Sequence, residues 1–200
     1  MKIYLLDINP TMTKAWEKYF SNIQQIEIVN DDFGHFMDTH SDVEAVVSPA
    51  NAYGLMDGGY DKAITDYFGK EIQYKIQEKI NKEWYGEQPV GTSISIHTDK
   101  VVPNSQKMIR LIHTPTMRSP EVIIDARIVY QCMRTTLIEA EKEDVHCIVI
   151  PAFGGLCGQI PLNTIAYYMY CAYNQLKEYN PHIATWKDAI DTKQKLQRKE

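Results

Sequence analysis

Short apolar runs alternate with longer segments of helical period along the whole chain. Six runs, at residues 2–6, 25–29, 45–48, 90–97, 108–113 and 146–150, are rich in Ile and Val and have the length of strands. Leu162, Ile165, Ala166, Met169, Tyr173 and Leu176 recur at the i, i+3, i+4, i+7 spacing of one helix face. Val122, Ala126, Val129, Met133 and Leu137 do the same, and a third stripe runs through Ile64, Tyr67, Phe68, Ile72, Ile76 and Ile80. Strands alternating with amphipathic helices predict an α/β domain whose helices pack on a central sheet. From Pro181 the apolar density drops and the chain ends in KQKLQRKE. The domain is therefore expected over residues 1–180, and a charged helix or tail over residues 181–200.

Composition narrows the function classes. At 200 residues, 44% hydrophobic and 24% charged, the chain has the length and balance of one folded core and not of a disordered or low-complexity sequence. A net charge of -5 gives no general attraction to nucleic acid or anionic lipid. Residues 145–176 contain no Asp, Glu, Lys or Arg, but Pro151, Gly154, Gly155, Gly158 and Pro161 interrupt them. A buried strand, a loop and a buried helix are expected there instead of a membrane span. The apolar run before Asp7 is too short for a signal-peptide core, so a cytoplasmic protein is expected. The cysteines form no C-x-x-C pair and the histidines no H-x-x-x-H pair, so neither a metal nor another cofactor is expected.

Two segments stand apart. SPANAYGLMDGGYD, residues 48–61, follows the run AVV and precedes the Ile64 stripe; PAFGGLCGQIP, residues 151–161, follows CIVI and precedes the Leu162 stripe. Each is a strand, a glycine-bearing loop and a helix start, which gathers free backbone N–H groups and a positive helix end at one place. In an open α/β sheet such loops meet beyond the carboxyl ends of the strands, where a phosphate or pyrophosphate compound is the natural ligand. Gly54 and Gly59 have P-loop spacing, but Tyr60 and Asp61 stand where Lys and Ser or Thr are required, which excludes Walker-type hydrolysis.

The stretch VVSPANAYGLMDGGYDKAI resembles the V-N-A-A-N…G-G-G-V-D-x-A-I segment of macro domains, the ADP-ribose-binding α/β modules, in a form similar to a bacterial and phage branch. PAFGGLCGQIP resembles their second glycine loop and EIVNDDF their acidic turn. The resemblance implies a three-layer α/β/α fold with a mixed, mostly parallel sheet. It implies ADP-ribose or an ADP-ribosylated substrate as partner. It places the adenine-contacting carboxylate on Asp32, with Asp31 as the alternative register, and a backbone contact on Phe33. Asn51 becomes the holder of the distal ribose, with Asp57, Gly58, Gly59 and Tyr60 beside it. Phe153, Gly154, Gly155, Leu156, Cys157 and Gly158 become the second wall, where Phe153 is expected to stack on a sugar or base. Asp61 matches the residue that orients or deprotonates the attacking water in hydrolytic branches, so Asn51 and Asp61 form the catalytic pair.

Three positions depart from the pattern: Ser48-Pro49 replace Asn-Ala, Tyr60 replaces a small apolar residue, and Leu156 stands where many relatives have glycine. Two readings remain open on the sequence. One is hydrolysis at the distal ribose, removing ADP-ribose from a modified group or processing its 1''-phosphate. The other is a module that reads or sequesters an ADP-ribose-type nucleotide, in which Asp61 only caps its helix.

Overall fold

The computed structural model describes residues 1–179 and 181–197. Its elements run β1 (Lys2–Leu6), α1 (Pro10–Phe20), β2 (Ile26–Val29), α2 (Phe33–Thr39), β3 (Ala45–Ser48), α3 (Gly59–Phe68), α4 (Glu71–Trp84), β4 (Ile94–Val101), β5 (Met108–His113), α5 (Arg127–Lys142), β6 (Cys147–Ile150), α6 (Leu162–Tyr173) and α7 (Trp186–Gln197). The strands form one sheet in the order β2-β1-β6-β3-β5-β4. All pairings are parallel except β4 with β5. The sheet is thus mixed and mostly parallel, as expected.

Alternation along the strands builds the three layers. Ile3, Leu5, Ala45, Val47, Ile148 and Ile150 face one core shared with α1, α5 and α6. Tyr4, Leu6, Val46, Leu111 and Val149 face the other, shared with α2, α3 and α4. The central strands β3 and β6 are buried at every residue, which is why AVVS and CIVI read as unbroken apolar runs instead of alternating ones. Asn9 starts α1 by accepting from the Thr11 N–H at 2.9 Å, with Pro10 at the first helical position.

Three expectations are corrected. The stripe from Ile64 to Ile80 is two helices, because Gly69 takes φ +92° and ends α3 before α4 begins. The stripe from Val122 enters its helix only at Arg127, where Asp125 Oδ1 receives the Arg127 N–H at 3.0 Å. A bond from the Ile123 N–H to the Gly158 carbonyl, 3.0 Å long, ties the preceding residues to the second glycine loop. Strand β4 starts at Ile94, not Val90, since Gly91 turns at φ +79° and donates its N–H to the Pro115 carbonyl. Past Tyr173 the chain widens into a π-helical turn over Asn174–Tyr179. No helix among the described residues is long and apolar enough to cross a membrane.

Candidate functional site

The five parallel strands end on one edge of the sheet, and the segments singled out in the sequence follow β2, β3 and β6 there. Side chains join them across the edge. Phe33 at the start of α2 packs edge-on against Tyr60, ring centroids 5.3 Å apart. Leu156 of the second glycine loop lies over Gly59 of the first, its Cδ1 3.0 Å from where a Cβ would stand. The loops after β3 and β6 therefore meet at the carboxyl ends of the strands, the usual ligand position of an open α/β sheet.

Asp61 lies in the first turn of α3, 9% exposed, and accepts a 2.5 Å hydrogen bond from the hydroxyl of Ser48 at the end of β3. Burial raises its pKa to about 7; the Ser48 bond opposes that rise and the nearby Asp57 charge adds to it. A carboxyl that ionises near neutrality in a closed setting is suited to taking a proton. It does not cap the helix, whose N-cap is Gly58 with no side-chain cap bond. The unfolded-state pKa is near 3.8, so both states are protonated below it and burial then costs nothing. As pH rises toward about 7 the unfolded chain ionises first, and stability falls. Asp61→Asn, which still accepts from Ser48, is therefore expected to stabilise the protein at pH 8 by roughly 2 kcal/mol. That gain should vanish at pH 4. Thermal melts of both proteins at the two pH values check this.

The first loop is braced from within. Asn51 Nδ2 donates to the Leu55 carbonyl at 2.8 Å, while its Oδ1 accepts from the Tyr53 and Leu55 N–H groups at 3.1 and 3.3 Å. The side chain expected to hold the distal ribose is thus engaged in shaping its own loop. Beneath it, His113 is fully buried at the end of β5, its Nδ1 2.7 Å from Gln88 Oε1. Burial drives the His113 pKa down to about 3. Gln88 Nε2 donates to the Thr92 carbonyl at 2.9 Å, which fixes the amide and makes His113 Nδ1 the donor. The Gln88 N–H reaches the Ala52 carbonyl at 2.9 Å, and Asn51 bridges Met117 on the strand-like segment after β5. At the loop's far end Asp57, Gly58 and Gly59 are exposed, and no atom of the described residues lies within 4 Å of a Cβ built on Gly58.

The second loop is closely packed. Gly154 turns at φ +77°, and a Cβ on Gly158 would stand 2.5 Å from the Gly154 carbonyl oxygen. Leu156 and Cys157 are exposed at its tip and Gly155 is half-buried. Phe153 corrects the expectation of a stacking ring: it is fully buried in the α1–α5–α6 core and anchors the loop from below.

Asp32 is exposed and caps α2, its Oδ1 accepting the His35 N–H at 3.0 Å. Asp31 is paired with the His35 ring at 2.5 Å and accepts the Asp32 N–H at 2.9 Å, so of the two aspartates Asp31 is the more engaged. Sequence reasoning missed Ser48 as the partner of Asp61 and Gln88 as the partner of His113. Ser48 stood out only as a departure from a motif. Gln88 carries no local signal.

A sequence model of the Macro domain family matches residues 47–169. An uncharacterized protein of Aquifex aeolicus is 29% identical over 143 residues, which cover 72% of this chain and 78% of that protein. Among solved structures, the Oceanobacillus iheyensis macrodomain with ADP aligns with a TM-score of 0.59 at 21% identity, over 79% of this chain and 84% of that one. Thermosipho africanus DarTG in complex with ADP-ribose aligns with a TM-score of 0.57 at 14% identity, over 88% of this chain and 51% of that longer one. These structural likenesses concern the fold. The sequence match covers both glycine loops and more than half of the chain, and by it this protein belongs to the macro domain family.

Proposed function

We propose that the two glycine loops at the carboxyl ends of the strands bind ADP-ribose or a derivative and that the protein hydrolyses a bond at the distal ribose, in the main case the one to a group on its anomeric carbon. The buried Asp61 carboxyl, held by Ser48 beside the glycine loops, carries this reading. Fold relatives solved with ADP and ADP-ribose support the choice of ligand. In this reading Asp32 accepts from the adenine amine, and the Phe33 N–H contributes beside it. The exposed backbone at Asp57–Gly59 and the turn from Gly154 to Gly158 line the diphosphate and distal ribose. Asn51 positions the ribose by fixing its loop. Water attacks the anomeric carbon as the bond to the attached group breaks. Asp61 removes the proton from that water and returns it to the departing oxygen or phosphate. The negative carboxylate also steadies the positive charge that develops on the sugar.

Asp61 is already engaged by Ser48 and leaves its helix uncapped, which favours the hydrolase over the purely sequestering module. Calorimetry tests the ligand: ADP-ribose is expected to bind with micromolar or tighter affinity, on the order of 10-fold or more tighter than AMP, because the diphosphate and distal ribose meet the loop N–H groups. Equal affinity for the two would overturn the ligand assignment. Mass analysis after incubation with ADP-ribosylated protein, ADP-ribosylated nucleic acid, acetylated ADP-ribose and the 1''-phosphate tests the reaction. Tight binding of ADP-ribose with none of the four converted would leave the sequestering module in its place.

A further inference from the structure

The segment between β5 and α5 is tied to both glycine loops. The Ala52 N–H donates to the Met117 and Arg118 carbonyls at 3.0 and 3.2 Å, and the Thr116 N–H to the Ala50 carbonyl at 3.1 Å. On the other side the Ile123 N–H holds the Gly158 carbonyl, and Ile123 Cδ1 lies 3.0 and 2.6 Å from where Cβ atoms on Gly154 and Gly158 would stand. Along this fastened segment runs a groove of about 360 Å³, whose apolar lining is Val90, Met117, Val122, Ile124 and Ile128. Ile124 is 99% exposed and Val122 56%. Two branched apolar side chains thus stand in water at a place the loops hold fixed, with area to give to a partner.

The charges around the groove select that partner. Arg118 gives two hydrogen bonds to Glu87, at 2.7 and 2.9 Å, and Arg127 gives three to Asp125, at 2.6 to 3.0 Å. Both guanidinium groups are already spent on carboxylates. Glu121 also lines the groove, is exposed, and has no ion-pair partner among the described residues. A nucleic-acid backbone needs free cations and meets a surplus of negative charge here instead. A polypeptide that carries an apolar side chain next to a lysine or arginine matches both the exposed apolar lining and the free carboxylate.

We infer that this groove receives the polypeptide to which ADP-ribose is attached, seating one apolar side chain against Val122 and Ile124 and a neighbouring basic side chain on Glu121. The inference rests on the ADP-ribose reading above and deepens it by naming what is carried on the ribose. Since the groove is fastened to the loops that line the diphosphate and distal ribose in that reading, a chain attached to the ribose leaves the loops beside it.

The test is calorimetry on the full chain carrying Asp61→Ala, so that bound conjugates stay intact. The probes are ADP-ribose, short peptides bearing ADP-ribose on one side-chain oxygen with a Leu-Lys or a Leu-Glu pair on either side of it, and an ADP-ribosylated oligonucleotide. A Leu-Lys peptide is expected to bind about 5- to 10-fold tighter than ADP-ribose. Adding Ile124→Asp should remove that advantage while ADP-ribose affinity stays within about 2-fold. Adding Glu121→Lys should pass the advantage to the Leu-Glu peptide, a reversal that a loss of structure would not produce. Leu-Lys peptides that bind no tighter than ADP-ribose, an Ile124→Asp loss equal for peptide and ADP-ribose, or an oligonucleotide that outbinds every peptide would overturn the groove assignment and leave the ADP-ribose reading standing. Failure of the protein to bind ADP-ribose at all would overturn that reading and the groove assignment with it.

Discussion

Asp61→Ala is expected to lower turnover of an ADP-ribosylated substrate by about 100-fold or more, the scale of losing a positioned general base, while ADP-ribose affinity stays within a few-fold. The asymmetry follows from where the residue acts. A base that takes a proton in the transition state contributes little to holding the bound ligand, and removing a carboxylate from beside a diphosphate relieves repulsion. Steady-state kinetics of the variant against the parent checks the first half and calorimetry the second. The same assay carries a pH signature. Because burial raises the Asp61 pKa to about 7, the ionised base is lost as pH falls through neutrality, and turnover should decline there and not near pH 4. Ser48→Ala removes the bond that holds that pKa down, so its acid limb should lie at higher pH than the parent's. A rate that is flat from pH 5 to 8, or a loss in Asp61→Ala confined to KM, would exclude the base role.

Gly158→Ala is expected to cost about 1–3 kcal/mol of stability through overpacking and to weaken ADP-ribose by on the order of 100-fold. A methyl there would stand 2.5 Å from the Gly154 carbonyl oxygen and 2.6 Å from the Ile123 side chain. Ile123 can rotate away; the carbonyl belongs to the loop itself, so the turn that aims its N–H groups must change shape. Gly58→Ala supplies the contrast, since a methyl there meets no atom of the described residues within 4 Å and the melting temperature should hold. Equal melting temperatures and equal affinities for Gly158→Ala and the parent would show that the loop's tight turn is not what binds the diphosphate.

The sequence located the strands and both glycine loops because each is a local pattern: an apolar run, then glycines, then a helical stripe. Helix boundaries were less legible. The periodicity from Ile64 to Ile80 continues through Gly69, and only the glycine's positive φ breaks it. The stripe starting at Val122 was misleading because Ile123 serves the second loop, a contact made by a residue distant in sequence. The same limit hid much of the site. Asp61 was legible from its motif, but the Ser48 hydroxyl that grips it is 13 positions away, and Gln88 meets His113 across 25. Phe153 looked like a ligand-facing aromatic since it precedes two glycines, yet it is fully buried in the core shared with α1, α5 and α6.

The buried Gln88–His113 pair has a consequence for how the site is measured. Histidine ordinarily changes charge between pH 5 and 8, the window in which a base of pKa about 7 is titrated. With its own pKa pressed down to about 3, His113 stays neutral throughout that window and brings no change of charge beneath the loop. The histidine under Asn51 is thus silent where activity is titrated, and a neutral-pH limb reports the Asp61 carboxyl instead of this imidazole.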